Sequence, residues 1–428
     1  MNKSTQILKM RSTPIDYTPD QTTSLQEIAT FIQDKTSAIY TLSGYAGTGK
    51  TTIAENIINF AHANHYKTIL TAPTNQAVKV LLEKLQENVP EDAEFKTLHA
   101  LLYGAPDKNG KWVPKENLED HTFILIDESS MIDTDLHSDI LKAAKKARNI
   151  KLLFMGDSYQ LEPVGEDPQI LNTPDSALKT VKRQSQTSHI LELATAIRTQ
   201  KTTLNPSQSY PDLNLCSKDE LKANYLEQIT TTPPEDIIYI TATNRTRTSI
   251  NSLARTKKFG HDTDHPKPTD PLIFISNSLS YINGDHLTLD SFTIIDSVEL
   301  TILKNNKPSA ILEAQLLITD KNEKIILFPF VQLASVFHSQ IHEPNRCLPP
   351  EWHIKNTKKN KHELSQDVSI ATYGYAITAH KAQGSQWPIV FINQDFFLDN
   401  PRWQYTTVTR ATQTLHLARN SEAKIVIL

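Results

Sequence analysis

The chain has 428 residues, a net charge of −4, 11 glycines and two cysteines. This length exceeds one ordinary domain, and no apolar run approaches the length of a membrane span, which excludes a membrane-spanning class. Two cysteines provide neither a disulfide framework nor a metal site, and no N-terminal segment has the pattern of a signal peptide, so we expect a cytoplasmic protein. The net charge does not by itself indicate nucleic-acid binding, although an acidic protein can carry a local basic groove.

The ordered part of the chain is predicted to begin with a helix after residue 17. Residues 1–20 are polar, and we expect them to form a loose leader. Thr18 has the residue type of a helix N-cap, and Pro19 suits the first helical position. Gln21 follows in the first turn. A glutamine just before an ATPase core can read the edge of adenine. The alternative is that Gln21 is an exposed polar helix residue without a ligand.

The clearest motif is the glycine-rich stretch at residues 44–52, which fits the P-loop pattern G-x-x-x-x-G-K-[ST]. The apolar run at 38–42 precedes it and a helical apolar pattern follows it, which is the strand–loop–helix setting that the motif requires. Backbone N–H groups of such a loop and the helix start bind polyphosphate, and the alternative is a chance glycine-rich turn. The residues predicted to bind ATP here are Gly44, Ala46, Gly47, Thr48, Gly49, Lys50, Thr51 and Thr52. We expect Lys50 to contact the β- and γ-phosphates and Thr51 to hold Mg²⁺.

Polar side chains follow two further apolar strands. Asp127 and Glu128 come directly after the run at 123–126, and Gln160 follows the strand predicted at 152–155. Unpaired carboxylates beside a core strand are costly unless they bind something. We therefore expect Asp127 to hold Mg²⁺ through water, Glu128 to polarise the attacking water and Gln160 to sense the γ-phosphate. The alternative for Asp127 and Glu128 is a solvated strand end, and the alternative for Gln160 is a polar loop residue that binds no ligand.

The second half of the chain repeats the α/β pattern around a β-rich segment. A strand at 237–240 is followed by Thr243-Asn244, and short alternating β segments occupy about 261–365. The α/β pattern then resumes with a strand at 368–372, the stretch Thr378–Gly384, and Tyr405–Ala411. Asn109-Gly110 is a strong hairpin signal within about 103–120.

Taken together, these stretches resemble superfamily 1 helicases, most closely the 1B branch of RecD-like and Dda-like DNA helicases. The resemblance rests on eight stretches in order: residues 44–52, 72–82, 97–102, 125–132, 156–164, 182–183, 378–384 and 405–411, which are similar to motifs I, Ia, Ib, II, III, IV, V and VI. It departs mildly at Ser129, where many relatives carry Val or Ala.

The resemblance implies an α/β fold with two RecA-like P-loop NTPase domains, a small β-hairpin 1B insertion and an SH3-like β-barrel 2B insertion. The implied boundaries are 21–170 for domain 1A with its pin hairpin at about 103–120, 171–260 and 366–428 for domain 2A, and 261–365 for domain 2B. ATP and Mg²⁺ are the implied cofactors.

The resemblance also implies residue roles beyond the P-loop. Arg183 and Arg410 would come from domain 2A as cationic fingers on the γ-phosphate, since their charge acts only when the cleft closes. Gln383 and Gly384 are predicted at the nucleotide, and Tyr239 or Tyr405 would stack on adenine. The residues predicted to contact single-stranded DNA are Pro73, Thr74, Thr97, His99, Thr243, Asn244, Thr378 and His380. The alternative at residues 73–76 is a simple strand-to-helix turn with Thr74 or Asn75 as the helix N-cap. Trp112 beside the pin turn would part the duplex or, alternatively, pack the hairpin against domain 1A.

The implied activity is ATP-dependent 5′-to-3′ movement along single-stranded DNA with separation of duplex. The expected partners are single-stranded DNA, junctions of single- and double-stranded DNA, and replication or repair proteins. We expect a monomer in the cytoplasm, or in the host cytoplasm if a phage encodes the protein. The alternatives are a superfamily 1 RNA helicase, a translocase that displaces proteins with little unwinding, and a P-loop switch or scaffold without motor work.

Overall fold

The computed structural model describes residues 6–10, 15–106, 112–115, 118–163, 165–181, 188–200, 209–260, 265–275, 280, 281, 284–304, 307–328, 353–356, 368–393 and 400–418. Its α-helices are α1 (Pro19–Gln33), α2 (Lys50–Ala63), α3 (Asn75–Leu85), α4 (Leu98–Leu102), α5 (Thr134–Lys146), α6 (His189–Thr199), α7 (Lys218–Gln228), α8 (Asn244–Phe259), α9 (Ala379–Ala382) and α10 (Pro401–Val408). No helix in these ranges is long and apolar enough to cross a membrane.

The first α/β unit is built on a six-stranded parallel sheet. Its strands are β1 (Ile39–Gly44), β2 (Lys67–Ala72), β3 (Glu94–Thr97), β6 (Thr122–Ile126), β7 (Lys151–Gly156) and β8 (Ser176–Leu178), and their order is β3-β2-β6-β7-β1-β8. Apolar cores cover both faces, since Leu125 packs with α1 and α2 while its neighbour Ile124 packs with α4 and α5. Burial on both faces explains the continuous apolar runs of these strands.

The second α/β unit is a five-stranded parallel sheet with helices on its two faces. Its strands are β9 (Leu213–Cys216), β10 (Ile237–Thr241), β18 (Ala376–Thr378), β19 (Trp387–Ile392) and β20 (Ala411–Ala418), in the order β18-β10-β19-β20-β9. One core contains residues of α6 and α10, and the other contains residues of α7 and α8. Two parallel units were the expectation from the sequence.

The third sheet has seven strands. They are β11 (Pro271–Phe274), β12 (His286–Thr288), β13 (Phe292–Lys304), β14 (Lys307–Thr319), β15 (Lys324–Phe328), β16 (His353–Asn356) and β17 (Val368–Tyr373), in the order β12-β11-β17-β15-β14-β13-β16. Neighbouring strands are antiparallel except β15 and β17, which are parallel. Leu272, Leu317 and Leu327 share a core with α7 and α8, so this sheet packs on the second unit. A separate two-stranded hairpin consists of β4 (Tyr103–Pro106) and β5 (Trp112–Pro114).

Two predicted domain boundaries differ from the sheet pairing. The strand expected to reopen domain 2A at 368–372 is β17, which pairs with β11 and β15 in the third sheet, and the chain re-enters the second unit only at Ala376. At the other boundary, β8 lies beyond residue 170 yet pairs with β1 in the first sheet. Hydrogen bonding to neighbouring strands decides the sheet to which β17 and β8 belong, and the local sequence pattern does not identify those neighbours.

Part of the predicted loose leader is packed. Residues 7–9 form a short 3₁₀ turn, and Ile7 is fully buried in the core of the first unit. Asn56 Nδ2 donates a hydrogen bond to Ile7 O at 2.8 Å, and Asn59 Nδ2 donates one to Met10 O at 2.8 Å. Side chains of α2 therefore hold this segment against the unit.

Candidate nucleotide site and nucleic-acid interface

The P-loop joins the end of β1 to the start of α2, as the motif requires. Gly47 has φ +76° and Gly49 has φ +81°, which is the left-handed region that favours glycine. A Cβ atom on Gly49 would lie 2.6 Å from Gln21 Nε2. Both the backbone turn and the close approach of Gln21 therefore require glycine at position 49.

Lys50 opens α2 and folds back over the loop. Its Nζ donates a hydrogen bond to Gly44 O at 2.6 Å, and Tyr45 O lies 3.4 Å away. Thr48 Oγ1 also donates to Tyr45 O, at 2.7 Å. The ammonium is thus held at a loop that leads into a helix N-terminus, which suits a polyphosphate. Thr51 lies in the first turn of α2, next to Lys50.

Gln21 anchors the loop from α1. Its Oε1 accepts from Thr18 N at 3.0 Å as part of a capping box, and its Nε2 donates to Thr48 O at 2.8 Å. The side chain is fully buried. Its contact in the structure is therefore with the loop that would carry the nucleotide, and its reading of adenine stays a prediction.

Asp127 and Glu128 lie at the carboxyl end of β6. Burial and the nearby charge of Glu128 raise the pKa of Asp127 to about 6, although the charge of Lys50 opposes both effects. Glu128 has φ +51°, and its Oε2 is buried with no hydrogen-bond partner within the described part of the chain. A buried carboxylate oxygen without a partner is costly, so its position fits a group that interacts with bound ligand or water.

Mg²⁺ fits this corner of the site. The described residues contain no group of three or more His, Cys, Asp or Glu side chains that would form an all-protein metal cage. Mg²⁺ commonly binds one or two protein ligands together with substrate phosphates and water. Thr51, at the start of α2, and Asp127, directly after β6, supply a donor set of that kind.

Gln160 follows β7 and completes the row of polar strand ends. Its side chain is 5% exposed, and its Oε1 is buried with no hydrogen-bond partner among the described residues. The strands β6, β7 and β1 are adjacent in the sheet, so Glu128, Gln160 and the P-loop follow neighbouring strand ends. Ligands of open α/β sheets bind at this edge.

The second unit contacts this same edge. Tyr405 Oη accepts from Ala46 N at 2.8 Å and donates to Asp157 Oδ2 at 2.6 Å. Leu161 N donates to Thr406 Oγ1 at 2.9 Å, and Gln383 Nε2 donates to Leu161 O at 2.8 Å. The structure thus brings the predicted nucleotide residue Gln383 to the loop after β7.

Gly384, the other nucleotide residue predicted in this stretch, lies beside motif Ia. A Cβ atom on Gly384 would be 3.2 Å from Thr74 Oγ1 and 3.3 Å from Ala77 Cβ. Its φ is +73°, so both the backbone and the close approach favour glycine. The contact of Gly384 is therefore with the start of α3, and its contact with nucleotide stays a prediction.

The two predicted arginine fingers differ in their surroundings. Arg410 is 3% exposed, and its guanidinium donates to Thr406 O at 2.9 Å, Ser385 O at 3.1 Å and Thr409 Oγ1 at 3.1 Å. It therefore contacts its own unit in this structure. Arg183 lies outside the described residues.

Residues on either side of the gap that contains position 183 lie at the P-loop. A Cβ atom on Gly47 would lie 3.3 Å from Val181 Cγ1 and 3.1 Å from Leu191 Cδ1. Described residues on both sides of that gap therefore lie beside the phosphate loop. The role of Arg183 stays a prediction.

Neither of the two tyrosines predicted to stack on adenine has an exposed ring. Tyr239 is 1% exposed in the core between β10, α7 and α8, where it forms a T-shaped pair with Tyr225. Tyr405 is also buried, and its hydroxyl is used at Ala46 and Asp157. Stacking by Tyr239 is thus wrong, because its ring belongs to a core.

The predicted DNA-contact residues lie at helix starts that follow strand ends. Thr74, Thr97 and Thr243 are N-caps of α3, α4 and α8, and each hydroxyl accepts a backbone N–H at 3.1–3.2 Å. Thr378 is the N-cap residue of α9, and it makes no side-chain cap bond. These helices follow β2 and β3, adjacent in the first sheet, and β10 and β18, adjacent in the second. Helix N-termini favour phosphate groups, so this row of N-termini suits a phosphate backbone.

The remaining predicted contacts vary in exposure. Pro73 is buried, Asn244 is half-buried and His380 is exposed. The centroid of the His99 ring lies 5.4 Å from that of Tyr103. The backbone of Trp112 pairs with Pro106 in the hairpin, but the Trp112 side chain lies outside the described part of the structure.

Sequence reasoning missed several side chains that join the first unit to the rest of the chain. Asn75 N and Nδ2 donate to the carboxylate of Asp285, at 3.2 and 2.6 Å, which links α3 to the third sheet. Asp157 and Thr406 lie inside stretches already similar to motifs III and VI. Asp157 directly follows a fully buried strand, which was an available signal for a functional carboxylate.

Comparison with known proteins agrees with this arrangement. The family model described as an AAA domain matches residues 16–211, and the UvrD-like helicase C-terminal domain matches residues 373–418. RecBCD enzyme subunit RecD of Buchnera aphidicola subsp. Schizaphis graminum (strain Sg) is 37% identical over 156 residues, which are 33% of this chain and 25% of RecD. The chain is therefore similar to RecD-type proteins and, near residue 400, to the UvrD-like helicase C-terminal domain. Its two parallel α/β units agree with the RecA-like fold that the resemblance implies.

Two further proteins with lower identity match almost the whole chain. The uncharacterized protein R530 of Acanthamoeba polyphaga mimivirus is 23% identical over 490 residues, covering 92% of this chain and 98% of R530. A Pif1 helicase from Bacteroides, solved with ADP-AlF3 and single-stranded DNA, has a TM-score of 0.43 and 17% identity, with coverage of 96% and 94%. The RecD match spans about a quarter of the length of that relative.

Proposed function

We propose that this chain is an ATP-dependent DNA helicase that moves 5′ to 3′ along single-stranded DNA and separates duplex. The observation that carries the proposal is the contact of Tyr405 with Ala46 and Asp157, which brings the second unit onto the P-loop edge of the first. A nucleotide site at such a junction can couple hydrolysis to relative movement of the units.

ATP turnover requires groups that stabilise charge and orient water. Lys50 would bind the β- and γ-phosphates, Glu128 would polarise the attacking water and Gln160 would sense the γ-phosphate. Bound Mg²⁺, held by Thr51 and through water by Asp127, would neutralise phosphate charge.

The second unit would add cationic charge to the same site. Arg410, and Arg183 from the segment outside the described residues, would stabilise the transferring phosphoryl group as arginine fingers do. Because Arg410 belongs to the second unit and Arg183 is expected to belong to it, their charge would act only while the units are together. This dependence would link turnover to the closed arrangement of the two units.

The unpartnered oxygens of Glu128 and Gln160 support this assignment over a binding-only switch. A module that only binds nucleotide has no need for a buried carboxylate oxygen beside the phosphate loop. The pair therefore favours hydrolysis.

The proposed path of single-stranded DNA follows the row of helix N-termini at Thr74, Thr97, Thr243 and Thr378. Hydroxyl and backbone groups contact phosphate without reading bases, which suits a motor that must pass any sequence. The path crosses both RecA-like units, so a change in how the units meet would move one part of the path relative to the other.

We further propose that the β4–β5 hairpin is the 1B pin and that the third sheet belongs to the 2B insertion. The hairpin branches from the first unit directly after α4, close to the predicted DNA path. The expected partners are single-stranded DNA and forked junctions, together with replication or repair proteins. We expect a cytoplasmic monomer.

The first test is ATP hydrolysis with and without single-stranded DNA. Wild-type protein is expected to hydrolyse ATP faster when DNA is added, and Lys50→Ala to lose turnover by about a hundredfold or more, since its ammonium stabilises the transferring phosphoryl group. Lys145→Ala, on the exposed surface of α5, is the matched control and is expected to keep normal turnover. Retained turnover in Lys50→Ala would overturn the assignment of the nucleotide site. If RNA stimulated ATP hydrolysis and DNA did not, RNA would replace DNA as the proposed substrate.

A further inference from the structure

Tyr405 connects the two units through both functions of its hydroxyl. Its ring belongs to the core that α6 and α10 share, so its position is determined by the second unit. Its oxygen accepts the Ala46 N–H of the P-loop and donates to Asp157 Oδ2 of the first unit. Burial raises the pKa of Tyr405, and Asp157 raises it further, so the phenol stays protonated and remains the donor.

Asp157 in turn shapes the segment that carries Gln160. Its Oδ1 accepts Tyr159 N at 3.0 Å, and its backbone O accepts Gln160 N at 3.2 Å. The Tyr159 ring packs edge-on against Tyr405, with centroids 5.2 Å apart. Because Asp157 is fully buried, its carboxylate depends on these few donors, and removal of one leaves a buried charge underpaired.

The residues after Gln160 are also held by the second unit. Thr406 and Gln383 bond the two backbone groups of Leu161, and Arg402 Nη1 donates to Gln160 O at 3.3 Å. These three side chains fix the backbone on the C-terminal flank of Gln160. That flank is therefore anchored by contacts that do not involve Tyr405.

Tyr405 differs from these three side chains in the part of the site that it reaches. It acts on the N-terminal flank of Gln160 through Asp157, and the same hydroxyl bonds the P-loop. Tyr405 and Thr406 are neighbours on α10, so one short helix of the second unit contacts both flanks of the segment that carries Gln160. We compared the hydrogen bonds that these four side chains make within the described ranges. Among them, only those of Tyr405 also reach the phosphate loop.

We propose that Tyr405 is a positioning residue for ATP turnover, whose hydroxyl ties the Ala46 amide of the P-loop to the Asp157 turn and so aligns Gln160 when the two units are together. This inference rests on the proposed function, because it assigns a role within the same nucleotide site. Tyr405 acts through Asp157 and the loop backbone, and it does not itself take part in the chemical step.

The test compares Tyr405→Phe with Tyr66→Phe. Both substitutions delete one buried phenol oxygen, and Tyr66 donates to Ile32 O at 3.3 Å within the core of the first unit. Tyr405→Phe is expected to lower kcat by roughly ten- to a hundredfold, because misplacing a reacting group by about 1 Å can cost about a hundredfold. The KM for ATP and the Kd for a fluorescent ADP analogue are expected to stay near wild type. Tyr66→Phe is expected to lower Tm and leave kcat unchanged.

A double-mutant cycle with Asp157→Asn tests the path of the effect. If the two groups act as one unit, the double variant is expected to be no slower than the slower single variant. A normal kcat in Tyr405→Phe, or losses that multiply in the double variant, would overturn the inference while the proposed function stands. Absence of ATP hydrolysis in the wild-type protein would overturn both.

Discussion

Three polar side chains that follow neighbouring strands belong to the candidate nucleotide site. Lys50 Nζ is held by Gly44 O, while Glu128 Oε2 and Gln160 Oε1 are buried oxygens with no hydrogen-bond partner in the described ranges. Native proteins rarely leave buried polar atoms unpaired. The two oxygens are therefore among the buried atoms that need a ligand or water, and both follow strand ends adjacent to the P-loop strand or its neighbour.

The role of Arg410 is tested by Arg410→Lys. A lysine ammonium cannot reproduce the planar fork that donates to Thr406 O, Ser385 O and Thr409 Oγ1. We expect kcat for ATP to fall by about a hundredfold or more, by analogy with the loss of an arginine finger.

Arg148→Lys, on an exposed arginine beside Asp120, is the matched control for Arg410→Lys and should keep normal turnover. Thermal melting separates the loss of the three structural bonds from the loss of turnover. A near-normal kcat in Arg410→Lys would show that Arg410 is not a finger.

Lys381, in the short helix α9 on the predicted DNA path, is expected to make DNA binding depend on pH. Burial and the charge of Arg247 lower its pKa to about 7, although Asp285 opposes them. Above pH 7 the DNA-free protein loses this charge, and a nearby phosphate would restore it. DNA affinity should therefore fall by up to about tenfold between about pH 7 and pH 9, because binding must then take up one proton. Lys381→Arg keeps its charge, and fluorescence-anisotropy titrations should show a weaker pH dependence.

The same pKa determines the sign of an effect on stability. Between about pH 7 and the ordinary lysine pKa of 10.5, the unfolded state binds more protons at this position than the folded state does. The contribution of Lys381 to the free energy of unfolding therefore rises with pH in that window.

Equal pH dependence of DNA binding in wild type and Lys381→Arg would show that this lysine does not face the DNA.

At the scale of elements, helix N-termini and one hairpin form the predicted DNA path. Threonines cap α3, α4 and α8, and the capping bonds fix the direction of each first turn. From the sequence alone, capping and DNA contact are alternatives at Thr74. The structure shows the cap, and a capped helix start still presents its other N–H groups to phosphate.

The hairpin of β4 and β5 is tested by Trp112→Ala. If Trp112 parts the duplex, the variant is expected to keep DNA-stimulated ATP hydrolysis and to unwind a forked duplex several-fold more slowly, because a stacking side chain contributes about 1–3 kcal/mol per base. Val113→Ala removes an exposed apolar side chain from the same strand and serves as the control. Equal unwinding by Trp112→Ala and wild type would assign Trp112 to packing of the hairpin.

At the scale of the whole molecule, the two RecA-like units are joined through strand-end loops of the first unit. Thr406 and Gln383 hold the backbone of Leu161, and Tyr405 bonds the P-loop and the turn after β7. The Arg198 guanidinium lies 3.9 Å from the centroid of the Tyr45 ring. These contacts use groups at the predicted nucleotide site. Binding or loss of a ligand at that site would therefore alter the contacts between the two units.

The direction of movement is tested with two matched duplexes, one with a 5′ single-stranded tail and one with a 3′ tail. The proposed function predicts ATP-driven strand displacement from the 5′ tail only, measured by gel or fluorescence. Lys50→Ala provides the inactive control. Displacement from the 3′ tail would reverse the proposed polarity, and stimulated ATP hydrolysis without displacement from either tail would favour a translocase.

The sequence by itself determined the P-loop, the acidic pair after β6 and the alternation of parallel strands with helices. These features depend on local patterns: glycines with positive φ at 47 and 49, continuous apolar runs in strands buried on both faces, and polar residues directly after those runs. The order of such patterns along the chain also sufficed for the resemblance to superfamily 1B.

Only the tertiary structure decided which side chains meet across the two units. The pairing of β17 with the third sheet, the burial of Tyr239 and the bridge from Tyr405 to Ala46 and Asp157 all join residues far apart in the chain. Local propensity carries no information about such partners, because packing and hydrogen bonding between distant elements select them. The motif around Tyr405 was visible in the sequence, but the use of its hydroxyl became clear only when the opposing loop was in place.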